Sequence, residues 1–223
     1  MPLLPCLSGL RAGGALRLLI LLLSTAGLAG EALAQSNLRN VFPGRRVGGG
    51  TRGECTARLL AHLVPASSVF APGATTTLGV LEGPTTMPRP LLIEFRPLRS
   101  NGTADGAQAA RVKRTMPSGP LGVTLLTVPA VRQSTVWETS YDCEPPAAAG
   151  ATDPLAFVTS AAPPAVSLLL TEVTPADKPV QEGLRKLRAS CGADVARADV
   201  AKTFGLDDVV TAEWPARIPV RCP

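Results

Sequence analysis

The sequence predicts a mainly β fold: an antiparallel β-sandwich, loosely immunoglobulin-like, carrying a small C-terminal helical segment. Three observations lead there. From Cys55 to about residue 173, apolar side chains recur with a period of two. Clusters of Gly, Pro and Asn break this pattern into about eight short runs, the spacing of a sandwich. Near Thr174 the period changes to that of a helix. The 21 Gly and 22 Pro are many for a packed domain, yet below the share that argues disorder.

The first 34 residues read as an address rather than as part of the fold. Arg11 and Arg17 precede an apolar run from Leu18 to Leu23, and Ala32-Leu33-Ala34 supplies a small-x-small site. These are the three parts of a secretory signal peptide, with cleavage expected after Ala34. The apolar core is shorter than the ~20 residues that span a bilayer. No later segment is long enough either, so no transmembrane span is expected once the signal is cleaved. The Ala-, Pro- and Arg-rich composition points to a bacterium, and so to a periplasmic or secreted protein.

Residues 35–54 form a polar Gly/Arg-rich arm, and residues 55–173 are the expected sandwich domain. Its first strand runs from Cys55 to Leu63. Ala57, Leu59, Ala61 and Leu63 face inward there, while Arg58, Leu60 and His62 lie on the wetter face. Leu91, Ile93 and Phe95 define a second inward face, and Leu121, Val123 and Leu125 another. Trp137, Thr139, Tyr141 and Cys143 define the last clear one. Shorter candidate strands cover 75–81, 110–116, 155–160 and 166–173. Turns are expected at Pro72-Gly73, Gly83-Pro84, Asn101-Gly102 and Gly119-Pro120. Tyr141 precedes Cys143 at the offset of a tyrosine corner, but Trp137 lies on the same strand as that cysteine. The immunoglobulin likeness is therefore loose.

Residues 174–223 are expected to fold as a disulfide-tied helical tail. Thr174 is a cap, Pro175 suits the first helical position and Asp177 the first turn. Val180, Leu184, Leu187 and Cys191 share one face, and Gly192 ends the helix. Asp194 caps a second helix with Val195 and Phe204 inward, ended by Gly205. Trp214-Pro215 anchors the tail on the core.

Without the signal peptide the cysteines are Cys55, Cys143, Cys191 and Cys222. An even number in an exported chain indicates disulfides, and four cysteines allow three pairings. Their positions favour Cys55–Cys143, on two inward strand faces, and Cys191–Cys222 in the tail. No CxxC pair occurs and the one histidine, His62, is remote from the C-terminal cysteines, so no zinc or other metal is expected. No cofactor is expected.

Removing Arg11, Arg17 and Glu31 takes the formal charge from +5 to +4, an ordinary solubility charge. Five Phe, two Trp and one Tyr are too few for platforms that stack bases, so nucleic acid is not the expected partner.

The densest motif is Pro43-Gly44-Arg45-Arg46-Val47-Gly48-Gly49-Gly50-Thr51-Arg52-Gly53. Consecutive glycines permit turns that aim N–H groups at an anion. Arg45, Arg46 and Arg52 add charge-assisted donors for carboxylate or phosphate. No Gly-Lys-Ser/Thr follows and no strand precedes, which excludes Walker and Rossmann loops. Arg45, Arg46, Gly48, Gly49, Gly50 and Arg52 are thus the candidate binding residues. The competing reading is an arm that crosses the sandwich edge, its arginines paired with local carboxylates such as Glu54.

Arg45-Arg46-x-Gly-Gly-Gly-Thr-Arg-Gly, followed by Cys55, resembles the N-terminal signature of an uncharacterised family of exported bacterial proteins. That family is a domain of unknown function, frequent in cyanobacteria. The resemblance implies β-strands after the signature and a Trp-containing strand ending in Cys, as in Trp137 to Cys143. The family's aromatic-rich C-terminal segment has no counterpart here. No activity comes with the resemblance.

For catalysis the chain offers only His62 as an imidazole. Ser67 and Ser68 follow it past Pro65, and no Gly-x-Ser-x-Gly elbow occurs. Asp207, Asp208 and Glu213 read as a solvated terminus. The expected function is a non-enzymatic periplasmic module that binds an envelope protein or an anionic surface polymer through the Arg/Gly loop. A secreted hydrolase or other enzyme using His62 is the alternative.

Overall fold

The computed structural model describes residues 38–49, 58–98, 112–142 and 163–223. The expected signal peptide, the Cys55–Cys143 pair, the strand at 155–160, Gly50 and Arg52 all lie outside them. Eleven strands form two sheets among the described residues. The first sheet contains β1 (Val47–Gly48), β2 (Leu60–His62), β4 (Thr77–Glu82), β7 (Gly122–Thr127), β11 (Arg217–Arg221) and β10 (Asp194–Ala196), side by side in that order. The second contains β3 (Val69–Phe70), β9 (Ala165–Leu169), β8 (Thr135–Tyr141), β5 (Leu91–Pro97) and β6 (Val112–Met116), again in spatial order. The fold is the expected mainly β sandwich with a small helical segment.

Most pairings are antiparallel, but β3 with β9 and β7 with β11 are parallel. Both are made by segments that return to the sheets after a long excursion, which a hairpin cannot deliver. The C-terminal segment is therefore more than a tail, because β11 completes the first sheet. The arm is likewise part of the sandwich, since Val47 and Gly48 pair with Ala61 and Leu60.

Helix α1 (Lys178–Ala189) is preceded by a 3-10 turn at Pro175–Asp177, and α2 spans Arg197–Phe204. The Asp177 carboxylate accepts the Thr174 N–H at 2.7 Å and its hydroxyl at 2.9 Å, so Thr174 and Asp177 shape the start of α1 as their positions imply. Asp177 is also fully buried and holds two further groups: the Ala71 N–H at 3.0 Å and Arg39 in a 2.8 Å ion pair. Val180, Leu184 and Leu187 are buried as one helical face. Cys191 departs from that face. The helix ends at Ala189, and Cys191 is exposed in the following turn, bonded to Cys222 across a Cα–Cα distance of 5.7 Å. The second helix starts two residues later than expected, because Asp194–Ala196 pairs with β11 and its ladder outcompetes the cap. Gly205 ends α2 in the left-handed conformation, and Trp214 is buried against the core as anticipated.

The register sorts the first sheet into two faces. Ala61, Gly79, Leu81, Val123 and Leu125 share the face toward the helices. A Cβ on Gly79 would lie 2.9 Å from Leu184 Cδ2, which shows how closely α1 approaches. Leu60, His62, Val80, Glu82 and Thr124 share the opposite face, toward the second sheet. That sheet answers with Ile93, Thr139, Tyr141, Ala165 and Ser167. Its outer face, with Val136 and Leu168, is covered by Leu38 and Phe42 of the N-terminal segment.

Candidate functional site

The Arg/Gly segment runs from one sheet to the other. Its β1 pairs with β2 in the first sheet. One residue pair earlier, Arg45 exchanges backbone hydrogen bonds with Val166 of β9 at 2.9 and 2.7 Å. The segment thus closes one side of the sandwich, as the competing reading had it. The Arg46 N–H goes to Ser68 Oγ at 3.0 Å and the Gly49 N–H to Pro163 O at 3.0 Å. With these N–H groups engaged inside the fold, the expected anion nest is not formed by Arg45, Arg46 and Gly49.

The glycines serve close approach. A Cβ on Gly48 would sit 2.5 Å from the Ala165 nitrogen, and one on Gly49 would sit 2.2 Å from the Arg58 carbonyl oxygen. Gly49 also holds φ at +93°, which an L side chain resists.

The two consecutive arginines have opposite fates. Arg46 turns inward, and its guanidinium donates to the carbonyls of Val64 at 3.0 Å, Phe204 at 2.5 Å and Gly205. Among the described residues it makes no hydrogen bond to a carboxylate, and Glu54 lies outside them. It sits at the C-terminus of α2, where orphan carbonyls and the helix dipole favour a cation. Burial lowers its pKa, against which the nearby Asp208 acts. Arg45 is exposed, and its guanidinium has no partner among the described residues. Alternation along an extended segment accounts for the split, since adjacent side chains face opposite sides.

His62 is the reverse of the expectation. It has no exposed surface instead of a wet face, because both sides of β2 are covered. Its ring stacks on Trp137 at 3.5 Å between centroids, with 8° between planes. Nδ1 lies 2.8 Å from Ser167 Oγ and Nε2 lies 2.9 Å from Thr139 Oγ1. One hydroxyl donates to the ring and the other accepts from it, so a neutral imidazole is satisfied on both sides. Burial pushes the His62 pKa well below 6.5. A base 2.8 Å from a serine is the raw material of nucleophilic catalysis. Here, however, His62, Ser167 and Thr139 all have no exposed surface, so substrate has no approach to the pair. Ser67 and Ser68 are occupied elsewhere, accepting the N–H groups of Val69 and Arg46.

A second polar cluster was not anticipated. Glu82 is fully buried between Arg221 at 2.8 Å and Arg58 at 3.4 Å, and it accepts the Thr124 hydroxyl at 2.8 Å. Arg58 also donates to Gly83 O, Ser118 Oγ and Gly119 O, and lies 4.8 Å from the Tyr141 ring centroid. Burial lowers the Arg58 pKa and raises that of Tyr141, each countered by the other's proximity. Tyr141 donates to Leu59 O at 3.0 Å, a corner-like bond back to the chain. Ser118, Thr124 and Arg221 line a cleft of about 500 Å³ beside the Cys191–Cys222 bridge. Since Arg58 and Glu82 are spent on each other and on backbone, the cluster works first as a clamp on the sheet end.

Among the described residues no three His, Cys, Asp or Glu side chains gather as a metal site. No helix among them is long and apolar enough to cross a membrane. The signal for Thr139 was present in the sequence, in its inward place between Trp137 and Tyr141. Ser167 and Glu82 carried no such signal, because nothing local marks which face of their strands is covered. No family model, curated protein or solved structure matches this chain.

Proposed function

We propose that this chain is an exported binding module of the bacterial periplasm or cell surface, which holds an anionic envelope protein or surface polymer against Arg45. Residues 1–34, read as a cleavable signal peptide, direct the export, and the Cys191–Cys222 bridge suits an oxidising compartment. Membership of the exported family whose signature Arg45–Cys55 resembles belongs to the same proposal. One observation carries the reading. The backbone at Arg45 is pinned between two sheets while its guanidinium has no partner among the described residues. A cation on an immobile base gives up little backbone entropy when it binds, which raises its usefulness as a contact. Arg46 anchors that base from inside.

Cross-linking in the native envelope tests this. The Arg45→Ala/Arg52→Ala variant is expected to lose the partner cross-linked by the unchanged chain, with its thermal midpoint unaltered. Arg46→Ala is expected instead to lower the midpoint, because it strips three carbonyls of their donor. The same partner at the same yield from the double variant would overturn the proposal.

A further inference from the structure

We propose that the open end of the sandwich at β6 is a binding site for a small amphipathic anion: an aliphatic carboxylate whose chain lies in the cleft and whose head meets Arg114. The cleft has a volume of about 400 Å³, within the ~300–1,000 Å³ typical of small-molecule sites. Phe95 of β5 and Leu169 of β9 supply apolar surface on one side, and the segment from Val128 to Val131 supplies it on the other. Among the described residues no acidic side chain lines it, whereas Arg114 and Arg132 both do.

The register explains why Arg114 is there. Along β5 and β6, Leu91 faces Met116, Ile93 faces Arg114 and Phe95 faces Val112. Directly opposed residues lie on the same face of an antiparallel pair. Leu91 and Ile93 are buried in the core between the sheets, so Arg114 and Val112 project from the core-side face. Yet Val112 remains 45% exposed and Arg114 is exposed. The apolar interior thus continues into an uncovered cleft and ends at a guanidinium. Neither Arg114 nor Arg132 has a hydrogen-bond or ion-pair partner among the described residues.

Apolar surface would take a hydrocarbon chain out of water, and an unpaired arginine is suited to a carboxylate in two parallel hydrogen bonds. An inward charge on an edge strand has another established use, which is to deter edge-to-edge pairing. The two roles separate in solution. The site is independent of Arg45, so each proposal stands or falls alone.

The test titrates dodecanoate, below its micelle concentration, into the full disulfide-bonded chain by calorimetry, with dodecanol and dodecyltrimethylammonium as matched probes. Saturable one-to-one binding of dodecanoate is expected, with the neutral and cationic probes weaker. Arg114→Gln is expected to weaken dodecanoate at least about tenfold while leaving dodecanol unchanged. Val131→Asp is expected to abolish both in a chain that still unfolds cooperatively. Dodecanol binding as tightly as dodecanoate, the absence of saturable binding, or an Arg114→Gln titration equal to the unchanged chain would each overturn the proposal. Self-association of Arg114→Gln with unchanged titration would assign the arginine to edge protection and overturn it too.

Discussion

The two faces of the six-stranded sheet bury comparable numbers of side chains by different chemistry. Toward the helices the layer is apolar: Leu81, Val123 and Leu125 meet Val180, Leu184, Leu187 and Phe204. Toward the second sheet, apolar residues share the layer with His62, Glu82, Thr124, Thr139 and Ser167, all buried. The apolar layer needs only volume and pattern. The polar layer needs each partner in place, because a buried donor, acceptor or charge left alone costs its full desolvation. One face tolerates change, and the other specifies how the sheets sit against each other.

The sharpest way to break this comparison is to remove a single member from each layer. Glu82→Leu leaves Arg58 and Arg221 without their carboxylate and is expected to cost ~3–5 kcal/mol in denaturant unfolding. Leu184→Ala on the helix side is expected to cost about 3 kcal/mol, and Leu184→Met under ~1.5 kcal/mol. If Glu82→Leu were as mild as Leu184→Met, the clamp would have no energetic role.

A smaller effect is expected at His62. His62→Phe keeps an aromatic ring opposite Trp137 but strands the hydroxyls of Ser167 and Thr139, at ~1–3 kcal/mol. Adding Ser167→Ala and Thr139→Val is expected to restore most of it. Additive losses across the three substitutions would show that the hydroxyls are satisfied without the ring.

The smallest effect is one of pH. In the unfolded chain His62 takes up a proton near pH 6.5, whereas burial holds the folded pKa well below that. Its neutral form is therefore fully compatible with the fold above about pH 6.5. As pH falls, the unfolded chain binds a proton that the fold refuses, and stability declines by up to ~1.4 kcal/mol per pH unit. His62 is the one histidine, so the decline between about pH 6.5 and 5 is expected to vanish in the His62→Phe triple variant. Unfolding midpoints measured across that range check it.

The apolar pattern of the strands and of α1 is largely legible in the sequence. Period two found β5, β7 and β8 with their inward faces, and period 3.6 found the buried face of α1. Where the reading slipped, an apolar residue had neighbours on both sides. Alternation put Leu60 and His62 in water, but β2 lies between β1 and β4 with both faces covered, so its polarity pattern carried no information about burial. Asp194 reads locally as a cap, and only its pairing with Pro219, far along the chain, turned it into strand. Of the candidate binding residues, Arg45 and Arg46 were equivalent by composition. Their separation into one exposed and one half-buried guanidinium depends on α2 ending where it does.

By itself the sequence determined the fold class, the helix start at Thr174 to Asp177, the Cys191–Cys222 partnership and the anchoring role of Trp214. These follow from local periodicity, capping and spacing, which act over a few residues or through a single covalent bond. The tertiary structure alone decided that β1 and β11 complete the first sheet, that His62 is sealed between Ser167 and Thr139, and that Arg114 ends an open apolar cleft. Each of these depends on strand register between segments far apart in the chain. In a sheet of period two, register decides which face of every residue is covered.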